Sequence, residues 1–139
     1  MDPVTAKLRA WLSPVVESVD TPTLARVGLG AMLVLAGVHK LLAPEAWAVY
    51  VTDWLAPFLL VSPRLFMLAN GPPEILVGGL LLADRYVAPA TAVAAVSLPA
   101  TVVYLAIVAV TDGSFVDVLI RDVGLTALAW VVLLNALDD

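Results

Sequence analysis

The chain has 139 residues, of which 62% are hydrophobic and only 14% are charged, and its formal net charge is −5. Soluble domains have about 25% charged residues, so this composition excludes an ordinary soluble domain and predicts a membrane protein with length for about four spans of about 20 residues. The chain has no cysteine and one histidine, which excludes dithiol chemistry, thiolate-bound metal and a bis-histidine haem within one subunit.

The acidic balance argues against nucleic acid as a partner, because basic patches are missing. A halophilic archaeal host would account for an acidic surface, since high salt screens its self-repulsion. An ordinary acidic membrane protein accounts for it equally well.

Residues 1–22 are predicted to form an N-terminal interfacial segment. Val4, Leu8, Trp11 and Val15 recur at helical spacing among charged residues, a pattern typical of a helix that lies on a membrane surface. The segment lacks the basic and then apolar order of a signal peptide, so we expect no cleavage.

Residues 23–137 are predicted to form an all-α, integral membrane four-helix bundle, with spans at about 23–42, 64–83, 87–110 and 117–137. Thr21-Pro22 is a helix start signal, and prolines, glycines and charged turns separate the later spans. Short connections after the second and third spans indicate antiparallel neighbours.

The segment between Pro44 and Pro63 is too interrupted by charge and proline to span a membrane. We expect a re-entrant or interfacial helix here, between spans one and two. Trp47, Tyr50 and Trp54 fit the aromatic belt of a membrane interface, and the alternative is a lid over a ligand.

Glu74 is the most informative residue, because it lies in the middle of an apolar span. A carboxylate at that depth costs a few kcal/mol or more and normally faces protein or trapped water with a partner. Gly71-Pro72-Pro73 is expected to interrupt the helix just before it, and Asn70 places an amide one turn away.

The first span predicts possible partners for Glu74. Arg26, Gly30, Gly37 and Lys40 share one helix face, where the glycines let a neighbouring helix approach. Lys40 is therefore expected to face the bundle interior or its outer rim. Arg26 lies about 21 Å away along the axis and is expected at the opposite membrane face.

His39, Lys40, Glu74, Arg121 and Asp122 are predicted to cluster in the outer half of the bundle. Glu74 and His39 are the catalytic candidates, since a carboxyl and an imidazole can pass protons in sequence. Ligand-binding candidates are Lys40, Arg121, Asp122, Arg26 and Asn70, and no metal ligand is predicted. Membrane anchors and plain ion pairs are the alternative roles for the charged members.

Three motifs resemble those of the DoxX/DoxD family of small four-helix membrane proteins. The first runs from Arg26 through Ala36-Gly37-Val-His-Lys40-Leu to Pro44. The second is Glu74-Ile-Leu-Val-Gly78, and the third is Arg121-Asp122-Val-Gly124 at the start of the fourth span. The motifs stand in the order and spacing of that family, over about 23–137.

The resemblance implies an association with redox chemistry. Members of the family have been linked to thiosulfate:quinone oxidoreduction, to quinol-oxidase assemblies and to membrane complexes that respond to oxidative or thiol stress. We therefore expect a quinone-interacting subunit without a covalently bound cofactor, in a homo-oligomer or with a partner chain that supplies the electrons.

Two other functions remain open. The charged cluster could serve only to fix helix register, as part of a structural or assembly subunit, because buried charges in lipid require partners. A small transporter or channel is less consistent with the chain, which shows no inverted repeat. A slight excess of Lys and Arg on the N-terminal side predicts a multi-pass protein of the cell membrane with both termini in the cytoplasm.

Overall fold

The computed structural model describes residues 1–139 and consists of helices joined by short connections. The helices are α1 (Pro3–Ser18), α2 (Thr21–Leu42), α3 (Pro44–Ala48), α4 (Pro63–Leu82), α5 (Val87–Asp112) and α6 (Val116–Asp138), with a short 3-10 helix at Ala56–Leu59.

The long helices begin and end at prolines, capping residues and glycine in the sequence. Pro22 and Pro63 occupy first-turn positions of α2 and α4, and Ser62 Oγ caps α4 by accepting from Leu65 N at 3.1 Å. Gly113, with φ at +69°, follows α5, as is common for a residue that ends a helix. The ends of α2, α4, α5 and α6 lie within two residues of the predicted spans.

Three helices are long and apolar enough to cross a membrane: α2, α4 and α5. The helix predicted as the fourth span, α6, has 23 residues but is not among them. The structure thus establishes an all-helical fold with three candidate spans.

The Gly71-Pro72-Pro73 segment does not break α4, contrary to expectation, because both prolines lie inside one continuous helix. Their side chains are exposed. The missing N–H groups leave the carbonyls of Leu68 and Ala69 without their usual donors four residues on.

Paired glycines hold α2 and α4 together as antiparallel neighbours. A Cβ on Gly30 would lie 2.9 Å from the carbonyl oxygen of Gly78, and a Cβ on Gly37 would lie 2.6 Å from that of Gly71. Contacts this short between backbones are possible only without side chains, as in small-residue interfaces of membrane helices.

The second close pair is α5 with α6, and the two pairs meet through α2–α6 and α4–α5 contacts. The apolar core lies where α2 begins and α6 ends, here named the terminal end. It contains Leu29 and Leu33 of α2, Leu81 of α4, three alanines of α5, and Ala129 and Val132 of α6. The pairs are therefore locked together mainly at this end.

The connection between α2 and α4, residues 43–62, is here named the strap, and it marks the strap end of the bundle. In place of the single helix predicted here, the strap consists of the five-residue α3, turns and the 3-10 helix. Its location at a membrane interface stays a prediction. Pro57 removes a backbone donor, and Leu60 adopts a left-handed conformation with φ at +62°, so a continuous helix cannot form here.

Candidate functional site

A cavity of about 420 Å³ lies at the strap end, between the two helix pairs. All four long helices and the strap contribute to its walls, which are mostly hydrophobic. Its charged lining residues are Lys40, Glu74, Arg121 and Asp122. The structure thus brings four of the predicted cluster residues to one cavity.

Lys40 and Glu74 form an ion pair across the cavity wall, with the Lys40 ammonium donating to Glu74 Oε1. The two side chains are only 11% and 26% exposed. Glu74 follows the start of α4 by about 16 Å, which is about half the thickness of a bilayer's hydrocarbon core. Lys40 is buried, which matches the first of its two expected placements, and its partner is Glu74.

The other carboxylate oxygen of Glu74, Oε2, is buried and has no hydrogen-bond partner. Buried polar atoms in folded proteins nearly always have one, so an orphan of this kind calls for an explanation. A hydrogen-bond donor brought by a ligand would satisfy it.

Trp47 covers the Lys40 ammonium from the strap. The ammonium lies 4.6 Å from the centroid of the indole ring, a favourable cation–π distance. Trp47 and Tyr50, here named the lid, both line the cavity from the strap side. Their alternative role in the interfacial aromatic belt stays a prediction.

His39 lies outside the cavity and is exposed, but it is connected to the lid. Its Nδ1 accepts a hydrogen bond of 2.8 Å from Trp47 Nε1. No hydrogen bond joins His39 to Glu74. A proton path between them would need an intervening group.

Arg121 and Asp122 pair with each other and not with Lys40 or Glu74. Arg121 Nη2 lies 3.0 Å from Asp122 Oδ1, and the side chains are 55% and 7% exposed, respectively. The predicted cluster is thus two separate ion pairs on opposite walls of one cavity. Asn70 lines the same cavity, and its amide donates to the Phe66 carbonyl at 2.8 Å rather than to Glu74.

Tyr104 of α5 holds the strap in place, a role that the sequence analysis missed. Its hydroxyl donates to the Tyr50 carbonyl at 2.6 Å and accepts from Thr52 N at 3.1 Å. The sequence did contain a sign of this role, since Tyr104 places a hydroxyl within an apolar span. A hydroxyl at that depth requires a hydrogen-bond partner.

Arg26 lies at the terminal end, away from the cluster. It donates to the Leu81 carbonyl, and its Nε lies 3.3 Å from Asp84 Oδ1. These contacts satisfy the C-terminal end of α4. A second cavity of about 470 Å³ adjoins Arg26, so the structure separates this residue from the other candidates.

Lys40 and Glu74 both lie in a part of the chain that matches a known family. The sequence model of the DoxX family matches residues 21–112. The chain belongs to the DoxX family. No curated protein and no solved structure matches it.

The DoxX match contains the first two motifs, with Arg26, Gly37, Lys40, Glu74 and Gly78. The strap lies inside the matched range as well, whereas α1 and α6 lie outside it. The role of Arg121 and Asp122 as family motif residues therefore stays a prediction.

Proposed function

We propose that this DoxX protein binds a quinone in the strap-end cavity, as a membrane subunit of a redox complex. The observation that carries the proposal is the buried Lys40–Glu74 pair in an apolar cavity, with Glu74 Oε2 lacking a partner. Family membership alone does not assign this chemistry, which rests on the site.

The cavity fits a quinone ring in size and character. Its volume of about 420 Å³ lies within the usual range for small-molecule sites, which are mostly apolar with a few placed polar groups. Met67, Leu98 and Leu125 supply apolar wall. Lys40 and Glu74 supply the polar groups.

The two charged residues would play different parts. A quinone takes up two electrons and two protons on reduction, and its carbonyls accept hydrogen bonds. The Lys40 ammonium is placed to donate to a carbonyl at the polar wall. The Glu74 carboxylate would take up a proton and pass it to an oxygen of the reduced ring. Glu74 would then be reprotonated from solvent for the second transfer, by way of His39 and an intervening group behind the lid. With no cysteine and a single histidine in the chain, the electrons would come from a partner chain.

The proposal includes a four-span bundle with both termini in the cytoplasm. Contacts of α6 with α5 and α2, and the burial of Asp122 on the cavity wall, support α6 as the fourth span. The cavity would then open toward the outer half of the membrane, where a homo-oligomer or partner chain would complete the complex.

Quinone extraction from protein purified in mild detergent tests the proposal. We expect near-stoichiometric quinone with the wild type and loss of it in Glu74→Gln. The matched control is Glu45→Gln, because Glu45 pairs with Arg64 at the exposed surface and should leave the quinone content unchanged. Equal amounts of bulk lipid and no enriched quinone in all three proteins would refute the proposal.

A second function, a structural subunit without chemistry, is favoured by one observation. The Lys40–Glu74 pair joins α2 to α4, the same two helices that the paired glycines bring together. On this hypothesis Glu74→Gln lowers the melting temperature in detergent without any change in bound quinone. A variant that melts like the wild type but has lost its quinone would exclude it.

A further inference from the structure

One helix of the molecule has no partner. No residue of α1 is buried, and α1 makes no packing contact with any other helix. Its exposed side chains include Val4 at 66%, Leu8 at 52%, Trp11 at 79% and Val15 at 54%. An apolar surface of this kind in a small protein marks an interaction site.

The apolar residues of α1 form one continuous face. At 100° per residue, Trp11, Val4, Val15, Leu8, Leu12 and Val16 fall within an arc of about 140°. Such an arc is broad enough to immerse a helix along its length. Asp2 caps the helix by accepting from Val4 N and Thr5 N, both at 2.9 Å, which satisfies two N–H groups of its first turn.

The charges of α1 are arranged around this face. Lys7 lies on one side, about 40° beyond Trp11, and Arg9 lies on the other side, about 20° beyond Val16. Glu17 lies almost opposite the centre of the arc. Cations at both edges can extend toward headgroups while their stems cover apolar surface, whereas the carboxylate stays in water.

The position of α1 in the chain places it at a bilayer surface. Only Val19 and Asp20 separate it from α2, a candidate membrane span. The three Cα–Cα steps from Ser18 to Thr21 reach about 11 Å at most, so the end of α1 stays within that distance of the start of α2. The indole of Trp11 also suits the interfacial region.

We infer that α1 lies in the headgroup region of the membrane and binds anionic lipid. Its apolar face then contacts the hydrocarbon core, and Lys7 and Arg9 lie at the two edges of that face, near the headgroups. The helix thus anchors the terminal end of the bundle to one leaflet. This interaction is independent of the cavity and of any quinone.

Spin labelling tests the inference in the full-length protein, and the absence of native cysteine makes single labels unambiguous. A nitroxide is attached to Leu8→Cys on the apolar face or to Ser13→Cys on the polar face. Each protein is reconstituted in phosphatidylcholine vesicles with and without phosphatidylglycerol. Collisions with oxygen report contact with lipid, and collisions with a water-soluble nickel complex report contact with water.

With phosphatidylglycerol present, we expect the label at position 8 to be several-fold more accessible to oxygen than to nickel, and the label at position 13 to show the reverse. The contrast should weaken in pure phosphatidylcholine and in Lys7→Gln/Arg9→Gln. Arg64→Gln, at the exposed strap end, is the control for charge removal and should preserve it.

Three results would overturn the inference. The first is equal accessibility at positions 8 and 13. The second is a contrast that does not depend on phosphatidylglycerol. The third is protection of position 8 from both reagents, with spin–spin broadening that grows with protein density, because it would show that a second copy of the chain covers the face.

Discussion

The Lys40 ammonium has two neighbours, the Glu74 carboxylate and the face of the Trp47 indole. The ion pair and the cation–π contact are both stronger in a membrane than in water, because the low local dielectric strengthens the attraction of paired charges. The same dielectric makes an unpaired charge costly. The arrangement leaves Glu74 Oε2 free. The pair therefore holds one carboxylate oxygen in place and leaves the other without a partner in the cavity wall.

A double-mutant cycle on this pair should show strong coupling. Lys40→Met and Glu74→Gln each leave one partly buried charge without its partner, so each should lower the unfolding free energy by up to about 3 kcal/mol. The double variant removes both charges and should recover most of that loss, giving a coupling energy close in size to the sum of the two single losses. Thermal unfolding in detergent measures all four proteins, and strictly additive losses would contradict the prediction.

The double variant also separates stability from ligand binding. On the proposed function it should melt near the wild-type temperature and yet retain no quinone. Loss of quinone would then be due to the missing polar groups rather than to a disrupted bundle. A double variant that retains quinone would show that the pair serves only to fix the helices.

At the scale of single residues, the sequence located the charged groups but not their pairing. The spacing of Gly30, Gly37 and Lys40 by seven and three residues places them on one face, and the structure buries all three. Pairing across helices depends on the vertical offset of α2 against α4, which spacing within one helix does not determine. For this reason the sequence grouped Arg121 and Asp122 with Glu74, whereas the structure pairs them with each other.

The interface between α2 and α4 depends on glycines at matched depths. Gly30 faces Gly78 and Gly37 faces Gly71, seven residues apart on each helix. This close approach brings α2 and α4 together along the stretch that contains Lys40 and Glu74. Any side chain at these positions would push the helices apart and lengthen the ion pair.

Gly37→Ala should therefore destabilise the bundle, because its Cβ would lie 2.6 Å from the Gly71 carbonyl oxygen. Overpacking of this kind typically costs about 1–3 kcal/mol. Gly79→Ala is the matched control on α4, since a Cβ there meets nothing within 4 Å, and alanine favours a helix over glycine by about 1 kcal/mol. Thermal unfolding should place Gly37→Ala below the wild type and Gly79→Ala at or above it, and equal melting temperatures would disprove the argument.

The ends of the helices were predictable because proline, glycine and charged turns mark them. Pro22, Pro63 and Gly113 stand at observed boundaries. The strap was not predictable to the same degree. Its path depends on Tyr104, which is 54 residues beyond Tyr50 in the chain, and local propensity contains no information about such a contact.

The whole bundle is asymmetric along its axis. The core packs all four long helices together at the terminal end, and the cavity separates the two pairs at the strap end. The Tyr104 hydroxyl bonds the strap, which joins α2 and α4, to α5 of the other pair. It thus ties the halves of the molecule together at the end where the core does not.

Tyr104→Phe should open the strap end while the core keeps the bundle folded. The change leaves the Tyr50 carbonyl and the Thr52 amide without their partner, at a cost of about 1–3 kcal/mol, and each 1.4 kcal/mol shifts an equilibrium tenfold. A single cysteine at Ala36, on the cavity wall, should then react with a water-soluble maleimide about tenfold faster than in the parent Ala36→Cys protein. Tyr86→Phe, whose ring is 75% exposed, is the control and should leave the rate unchanged. An unchanged rate in Tyr104→Phe would mean that the strap stays closed through its aromatic contacts alone, and the role of the hydroxyl as the tie between the two helix pairs would be refuted.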